Sequence, residues 1–362
     1  LKGFITLLFL VLFCSPITTY AQEEEEIKLD HDTTYYKSFN DMLHLRLYTV
    51  YKFNELVVNS GKRISSHDNL VYAPNGNLNL GFGFNYKGLG INFGFNFPAI
   101  NNDDDVYGET NKLDMRSYLY ARKFAVDLGL QFYKGFYISE VNENDPIRDP
   151  QPPTQLRGDM VINTFGLSSF WIHNYEKFSF RAAFAQTEVQ KKTSGSLLYG
   201  PYLNFVRIKA DSSLVPENLR EEYLLSSNII SGWYGSMGLS AGYAQSVILF
   251  KRFFITGSLA LGYGITFGHY FFETDYGNEK DTIWKGGLKY NARLAFGYNT
   301  DRMYVGSSLV LESYNITTAS DNVTLYWMGQ FRVNLVHRFN WKVGILDWAL
   351  DKEKKILSKK DK

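Results

Sequence analysis

The sequence has one cysteine, Cys14, among 362 residues, and it falls in a stretch patterned like a cleaved leader. Without thiols a mature chain makes no disulfide, no Cys-ligated zinc centre and no thiolate nucleophile. Charge of one sign is missing too: 38 Lys and Arg stand against 37 Asp and Glu, a net +1, so no overall field draws the chain to nucleic acid. Beyond residue 22 no apolar run reaches the roughly 18 residues that a membrane helix requires. Disorder is excluded by the opposite feature, an abundance of 28 Phe and 26 Tyr that such chains lack. The 30 glycines follow no three-residue period, which excludes a collagen-like rod.

The N-terminus reads as an export signal. Lys2 supplies positive charge, Ile5 to Phe13 an apolar stretch too short to span a bilayer, and Thr19-Tyr20-Ala21 a small-x-small cleavage site. The acidic run Glu23 to Glu26 follows at once, as suits a solvated mature end. The resulting division is a leader over 1–22, a periplasmic segment over 23–40, a main body over 41–339 and a tail over 340–362. In that tail Ile345, Leu346, Trp348, Ala349 and Ile356 form a helical stripe opposite Lys352, Lys354, Lys355, Lys359 and Lys360. It reads as a basic amphipathic helix or as a solvated tail.

The body is dominated by period-two alternation, the mark of strands with two unlike faces. Leu78, Leu80, Phe82, Phe84 and Tyr86 alternate with Asn79, Gly81, Gly83 and Asn85; Ile91, Phe93, Phe95 and Phe97 alternate with Asn92, Gly94 and Asn96. Further along, Leu113, Met115 and Leu119 oppose Asp114, Arg116 and Tyr118, and Leu288, Leu294 and Phe296 oppose Lys289, Asn291 and Arg293. Such ribbons suit either a soluble sandwich or a barrel with lipid outside.

Three features favour the barrel. The segments commonly reach about ten residues, the tilted span of a bilayer. Aromatic residues sit near their ends (Tyr48, Tyr51, Trp171, Tyr243, Phe271, Phe272, Tyr298, Tyr304, Trp341), as in interfacial girdles. Short turns at 87–90, 122–123, 174–177, 247–251 and 299–302 alternate with long loops at 59–76, 98–111, 139–158, 191–230 and 271–284. The expectation is an all-β, transmembrane antiparallel barrel of about twelve strands with long extracellular loops, in the outer membrane after cleavage near Ala21. Residues 178–190 are read as one of those strands, and 195–208 as a hairpin arm or lid inside a loop. Were 195–208 paired with a further strand, the count would be fourteen.

Several stretches carry a resemblance: Asp32-Thr-Thr-Tyr-Tyr36; Tyr72-Ala-Pro-Asn75 leading into Leu80-Gly-Phe-Gly83 and Tyr86-Lys-Gly-Leu-Gly90; Arg122-Lys-Phe124 with Gln131-Phe-Tyr-Lys-Gly135; Phe178-Ser-Phe-Arg-Ala-Ala-Phe184 with Gln186, Glu188 and Gln190; and Asp211-Ser-Ser-Leu214. In these the chain resembles exported bacterial proteins that share domain of unknown function 4421, regarded as outer-membrane barrels. The resemblance implies a fold and a location but no activity. Lys192-Thr-Ser-Gly-Ser196 and the length of the tail after Phe339 depart from the family pattern.

The candidate lumen wall comprises Arg46, Asp114, Arg116, Arg122, Asp127, Lys289, Arg293, Glu312 and Arg332. Such charges either pair into a filled, rigid core or line a hydrated path for small polar or anionic solutes, with the basic excess tilting a path towards anions. Membrane lipid is the other expected partner; no cofactor is expected. A lipid hydrolase would need Ser beside His. Of His31, His44, His67, His173, His269 and His337, only His269 with Ser194 or Ser196 suggests a dyad, and no G-x-S-x-G elbow supports it. A secreted lipocalin-like binder is the remaining alternative. Asn101-Asn-Asp-Asp-Asp105 resembles a cation loop in composition only and reads as a solvated tip.

Overall fold

Period-two alternation becomes strand wherever it runs long. In the computed structural model the strands are β1 (Tyr36–Ser38), β2 (Leu43–Asn59), β3 (Asn69–Ala73), β4 (Leu78–Tyr86), β5 (Leu89–Asn96), β6 (Asn111–Tyr120), β7 (Phe124–Glu140) and β8 (Leu156–Ile172). They continue with β9 (Glu188–Gln190), β10 (Ser194–Lys209), β11 (Ile229–Leu249), β12 (Phe253–Thr274), β13 (Gly277–Asn299), β14 (Met303–Thr317) and β15 (Val323–Phe339). One helical turn, α1 (Asp104–Tyr107), precedes β6. The structure describes residues 31–60, 69–76, 78–87, 89–96, 103–140, 155–317 and 323–344. The expected leader, the acidic run after it and the lysine-rich tail lie outside the described residues. His31–Lys342 form one unit; of a second, made of 1–30 and 343–362, only Val343 and Gly344 are described.

Ten strands close the barrel: β2, β15, β14, β13, β12, β11, β10, β8, β7 and β3, each antiparallel to the next, with β3 returning to β2. The expected ring of about twelve is therefore corrected to ten plus additional wall strands. β4 pairs with the first half of β2 below β3, β5 pairs with β4, and β6 lies along β7. Because Leu43 opens β2 opposite Phe339 at the close of β15, both chain ends of this unit leave at one end, here the inner end.

Faces follow the alternation. Leu47, Leu239, Leu259, Leu294, Phe296, Phe331, Val333 and Leu335 are all exposed, whereas Asn291, Arg293, Gln330 and Asn334 are buried. A soluble protein does not leave so continuous an apolar exterior, which fits lipid on that side. Trp233 and Trp284 stand towards the outer end of this belt and Phe253 and Trp341 towards the inner one. Tyr48, Phe272 and Tyr304 leave the expected girdle: Tyr48 and Tyr304 are buried inside, and Phe272 packs against the core. Counting parity from Arg46 and Glu312 places both tyrosines on the inner face.

Two expected features are wrong in an instructive way. Residues 178–190 are no wall strand; they hold a π-helical turn at Arg181–Ala185 and the short β9. Residues 195–208, read as a lid, belong to wall strand β10. The exchange preserves parity, so later connections stay on their expected sides. The expected turn at 174–177 opens a longer connection, 173–193, and the expected loop at 271–284 is extended hairpin, β12 pairing β13 from Phe271↔Lys280 to Thr274↔Gly277. Loop length over 191–230 shrinks accordingly to 210–228.

Candidate functional site: the barrel interior

The interior has three layers. At the outer end it is apolar, because inward residues of the ring strands, among them Leu56, Tyr72, Ile138, Ile162, Ile208, Tyr270, Ile316 and Tyr326, converge in one cluster. The β10–β11 connection dips into this cluster with Leu214, Val215, Leu219 and Tyr223. Backbone and side chains hold it there. Leu214 N–H donates to the Ile229 carbonyl at 2.8 Å, and Tyr72 hydroxyl donates to the Leu214 carbonyl. Arg157, gripped by Asp159 at 2.9 Å, donates to the carbonyls of Ser213 and Ser212 at 2.9 and 3.1 Å. Asn75 in turn donates to Asp103 and Asp104 at 2.9 and 3.0 Å. Asp103 and Asp104 are thus tied to β3's exit, while Asp104 and Asp105 stay exposed as a solvated tip requires.

The middle layer is charged, and most of its charges are matched. Asp127 accepts from Arg293, whose guanidinium lies 5.5, 5.7 and 5.5 Å from the rings of Tyr120, Phe170 and Phe180. Lys289 pairs with Glu312 at 2.5 Å and donates to Asn204 at 3.1 Å, while Ser168 also donates to Glu312. Asp114 collects Arg116 at 3.0 Å, Lys52 at 3.1 Å, Gln131 at 2.9 Å and Tyr133 at 2.7 Å. Arg116 reaches across to the Gly329 carbonyl at 2.9 Å. Between Arg116, Tyr118, Asp127, Gln131, Glu312 and Tyr314 there is room for about one water. Buried charges persist when paired and hydrogen-bonded, so this ring needs no column of water.

The inner layer is a plug. Connection 173–193 folds up beneath the charged ring with Phe178, Phe180, Ala182 and Ala183 buried, and the segment from His31 to Phe39 closes over it through β1–β9 pairing, Tyr36 opposite Gln190. Gln190 ties the plug together, its amide donating to the carbonyls of Lys177 and Lys192 at 2.7 and 3.1 Å. Fully buried Glu188 accepts from Ser179 at 2.5 Å and lies 3.4 Å from Arg181. Arg338 locks the plug to the wall, donating to the Gln186 carbonyl at 2.6 Å, to Asn299 at 3.0 Å and to the Thr300 carbonyl. Within this cap His31 stacks on Tyr36 at 4.4 Å, and burial holds its imidazole below the ordinary value. The Thr34 side-chain and backbone hydrogen bonds lower the Asp32 carboxyl, and burial raises the Tyr36 phenol.

Of the nine residues expected in the lumen, six form the three matched clusters. Arg122 is corrected: it sits in the β6–β7 turn, with Nε 3.8 Å from Glu188 of the plug. Arg46 and Arg332 face inward but meet no carboxylate among the described residues; Arg46 donates to Asn92 at 3.1 Å, and Arg332 lies 4.9 Å over the Tyr48 ring. Sequence reasoning missed Lys52, Glu188 and Arg338. Arg338 shares parity with Arg332 and Asn334, a signal that was available. The Ser–His dyad is not assembled. His269, bonded to Thr282, is near the outer end of β12, whereas Ser194 and Ser196 start β10 at the inner end, where Asn174 contacts both.

The pattern of the family described as Domain of unknown function (DUF4421) matches residues 30–339. The chain belongs to the DUF4421 family. No curated protein matches the sequence. Among solved structures, the outer membrane protease OmpT from Escherichia coli is similar at 10% identity and a TM-score of 0.35, over 84% of this chain and 98% of that one. The translocator domain of the autotransporter NalP from Neisseria meningitidis is similar at 9% identity and a TM-score of 0.31, over 85% and 90%. A Pseudomonas aeruginosa FadL homologue is similar at 8% identity and a TM-score of 0.23, over 82% and 90%. In this DUF4421 barrel the motif-bearing stretches are clamps. Asp32–Tyr36 and Phe178–Gln190 build the inner plug, while Tyr72–Asn75 and Asp211–Leu214 fasten the outer cap.

Proposed function

We propose that this DUF4421 protein is an outer-membrane barrel of a Gram-negative bacterium whose interior is sealed, and that its role is structural or surface-presenting. What carries the reading is the coincidence of two caps with a matched charge layer: Leu214 is buried at one end, Arg338 binds the plug at the other, and the gap between Arg116, Asp127 and Glu312 has room for about one water. A solute path would have to displace both caps and break the ion pairs of Arg116 and Arg293. A soluble lipocalin-like binder would instead keep a cavity inside and its apolar side chains off the exterior.

Purified protein reconstituted in planar bilayers is expected to stay electrically silent. Stable channel openings that disappear when Arg116 and Arg293 are replaced by Ala would overturn the sealed reading in favour of an anion path. The reading includes no hydrolysis, since His269 and the two serines are held by other partners at opposite ends of the sheet.

A further inference from the structure

The wall has an unjoined seam. β5 pairs only with β4, β6 only with β7, and no ladder bond links the β5 and β6 edges among the described residues. β3 bridges β2 and β7 further out, so the gap is confined to the inner part of the wall. Outside, exposed Phe93 and Phe95 stand on one edge and Leu113 and Met115 on the other. Open sheet edges do not face hydrocarbon without something to satisfy their N–H and C=O groups.

Behind this seam stand two cations that meet no carboxylate among the described residues. Arg46 donates to Asn92 of β5 and to the Ala185 carbonyl, at 3.1 and 2.7 Å, and makes no ion pair among the described residues. Arg332 makes no hydrogen bond or ion pair among the described residues; its contact is the Tyr48 ring. Asn334, opposite Tyr48 in the ladder and 1% exposed, has neither its amide nitrogen nor its oxygen partnered. On β5, Gly94 leaves the inner face bare, with the Tyr48 hydroxyl 3.3 Å from where a Cβ would stand. Two guanidiniums and an idle amide are donors of the kind that phosphate oxygens accept.

We propose that this seam binds the head of an anionic membrane lipid. The phosphate takes Arg46, Arg332 and the Asn334 amide, and the acyl chains leave between Phe93 and Met115 into the bilayer. The direction of access selects a lipid over a free anion: both ends of the barrel are capped, and the seam opens sideways into the apolar belt. The headgroup and its water also serve the unpaired edges. This inference rests on the membrane placement proposed above.

The test is native mass spectrometry of delipidated protein in detergent, titrated separately with phosphatidylglycerol, phosphatidylcholine and inorganic phosphate. One phosphatidylglycerol is expected to be retained about tenfold or more tightly than phosphatidylcholine. The preference is expected to vanish in Arg46→Gln with Arg332→Gln, and millimolar phosphate is expected not to displace the lipid. Should the double variant fail to fold, Arg332→Gln alone gives up no hydrogen bond and is expected to weaken the preference. Equal binding of the two lipids, or a preference unchanged in the variants, overturns the proposal; displacement by phosphate overturns the lipid assignment in favour of a free anion. Liposome flotation separates the two readings. Protein that fails to float contradicts membrane placement, whereas protein that floats without a lipid preference contradicts the seam site alone.

Discussion

Replacing Arg338 by Ala is expected to release the inner plug from the wall. The guanidinium is 1% exposed and supports two carbonyls and an amide oxygen. The carbonyl of Gln186 takes two of its donors, at 3.2 and 2.6 Å, and Gln186 is held in the left-handed region at φ 60. Hydrogen bonds to charged groups contribute about 1.5–3 kcal/mol each, and buried acceptors left without a donor add to the loss, so a cost on the order of 3–5 kcal/mol is expected. Arg338→Lys cannot reproduce the fork and is expected to recover only part of it. The readouts are the midpoint of the heat-induced gel shift of the folded barrel and new protease cuts within 173–193. A shift corresponding to under about 1 kcal/mol, with the plug still protected, would mean that Arg338 is not the lock.

The second large effect concerns the middle layer. Asp127→Ala strands Arg293 among three aromatic rings without its carboxylate, and breaking a buried pair on one side typically costs about 3–5 kcal/mol. Removing both partners, as Asp127→Ala with Arg293→Met, replaces the pair by apolar volume and is expected to cost much less than the single variant. Urea unfolding of the set in detergent gives the coupling energy directly. If the single aspartate variant is no worse than the double, the pair is not what balances the buried guanidinium.

Much of the wall was legible because side-chain direction in a strand alternates regardless of context. Leu294 and Phe296 face out and Arg293 faces in, as the pattern requires. Where composition was preferred over parity the reading failed: Tyr48 and Tyr304 are aromatic, as girdle residues are, yet they share the inner parity of Arg46 and Glu312. Residues 178–190 misled because Phe178-Ser-Phe180 alternates over a length that a plug turn supports as well as a wall strand. Residues 195–208 were hidden because adding them to a set that already held 178–190 makes the strand total odd; Gly200 and Pro201 are also unusual inside a strand. Their place in the structure explains them: the β10–β8 ladder skips both residues, and a Cβ at Gly200 would come within 2.0 Å of the Ser169 carbonyl oxygen.

The interior pairings were not legible at all. Asp127 and Arg293 are 166 residues apart and meet only because the sheet closes. The filling of the barrel has the same origin. Nothing local marks Asp211-Ser-Ser-Leu214 as a cap until Arg157 on β8 and Tyr72 on β3, the two strands that flank β7, are seen to hold its carbonyls. The closure through β3 was equally out of reach, since that strand has only five residues and alternates too briefly to stand out.

A spin-label scan along Phe331 to Val336 of β15 in lipid bilayers, on chain lacking Cys14, tests most directly whether hydrocarbon lies outside and a packed interior within. Labels at 331, 333 and 335 are expected to be accessible to oxygen and shielded from an aqueous nickel complex, while those at 332, 334 and 336 are immobilised and shielded from nickel. Nickel access at the even positions would reveal a water-filled lumen, and nickel access at the odd ones would place water where acyl chains are required; either result contradicts the sealed membrane barrel.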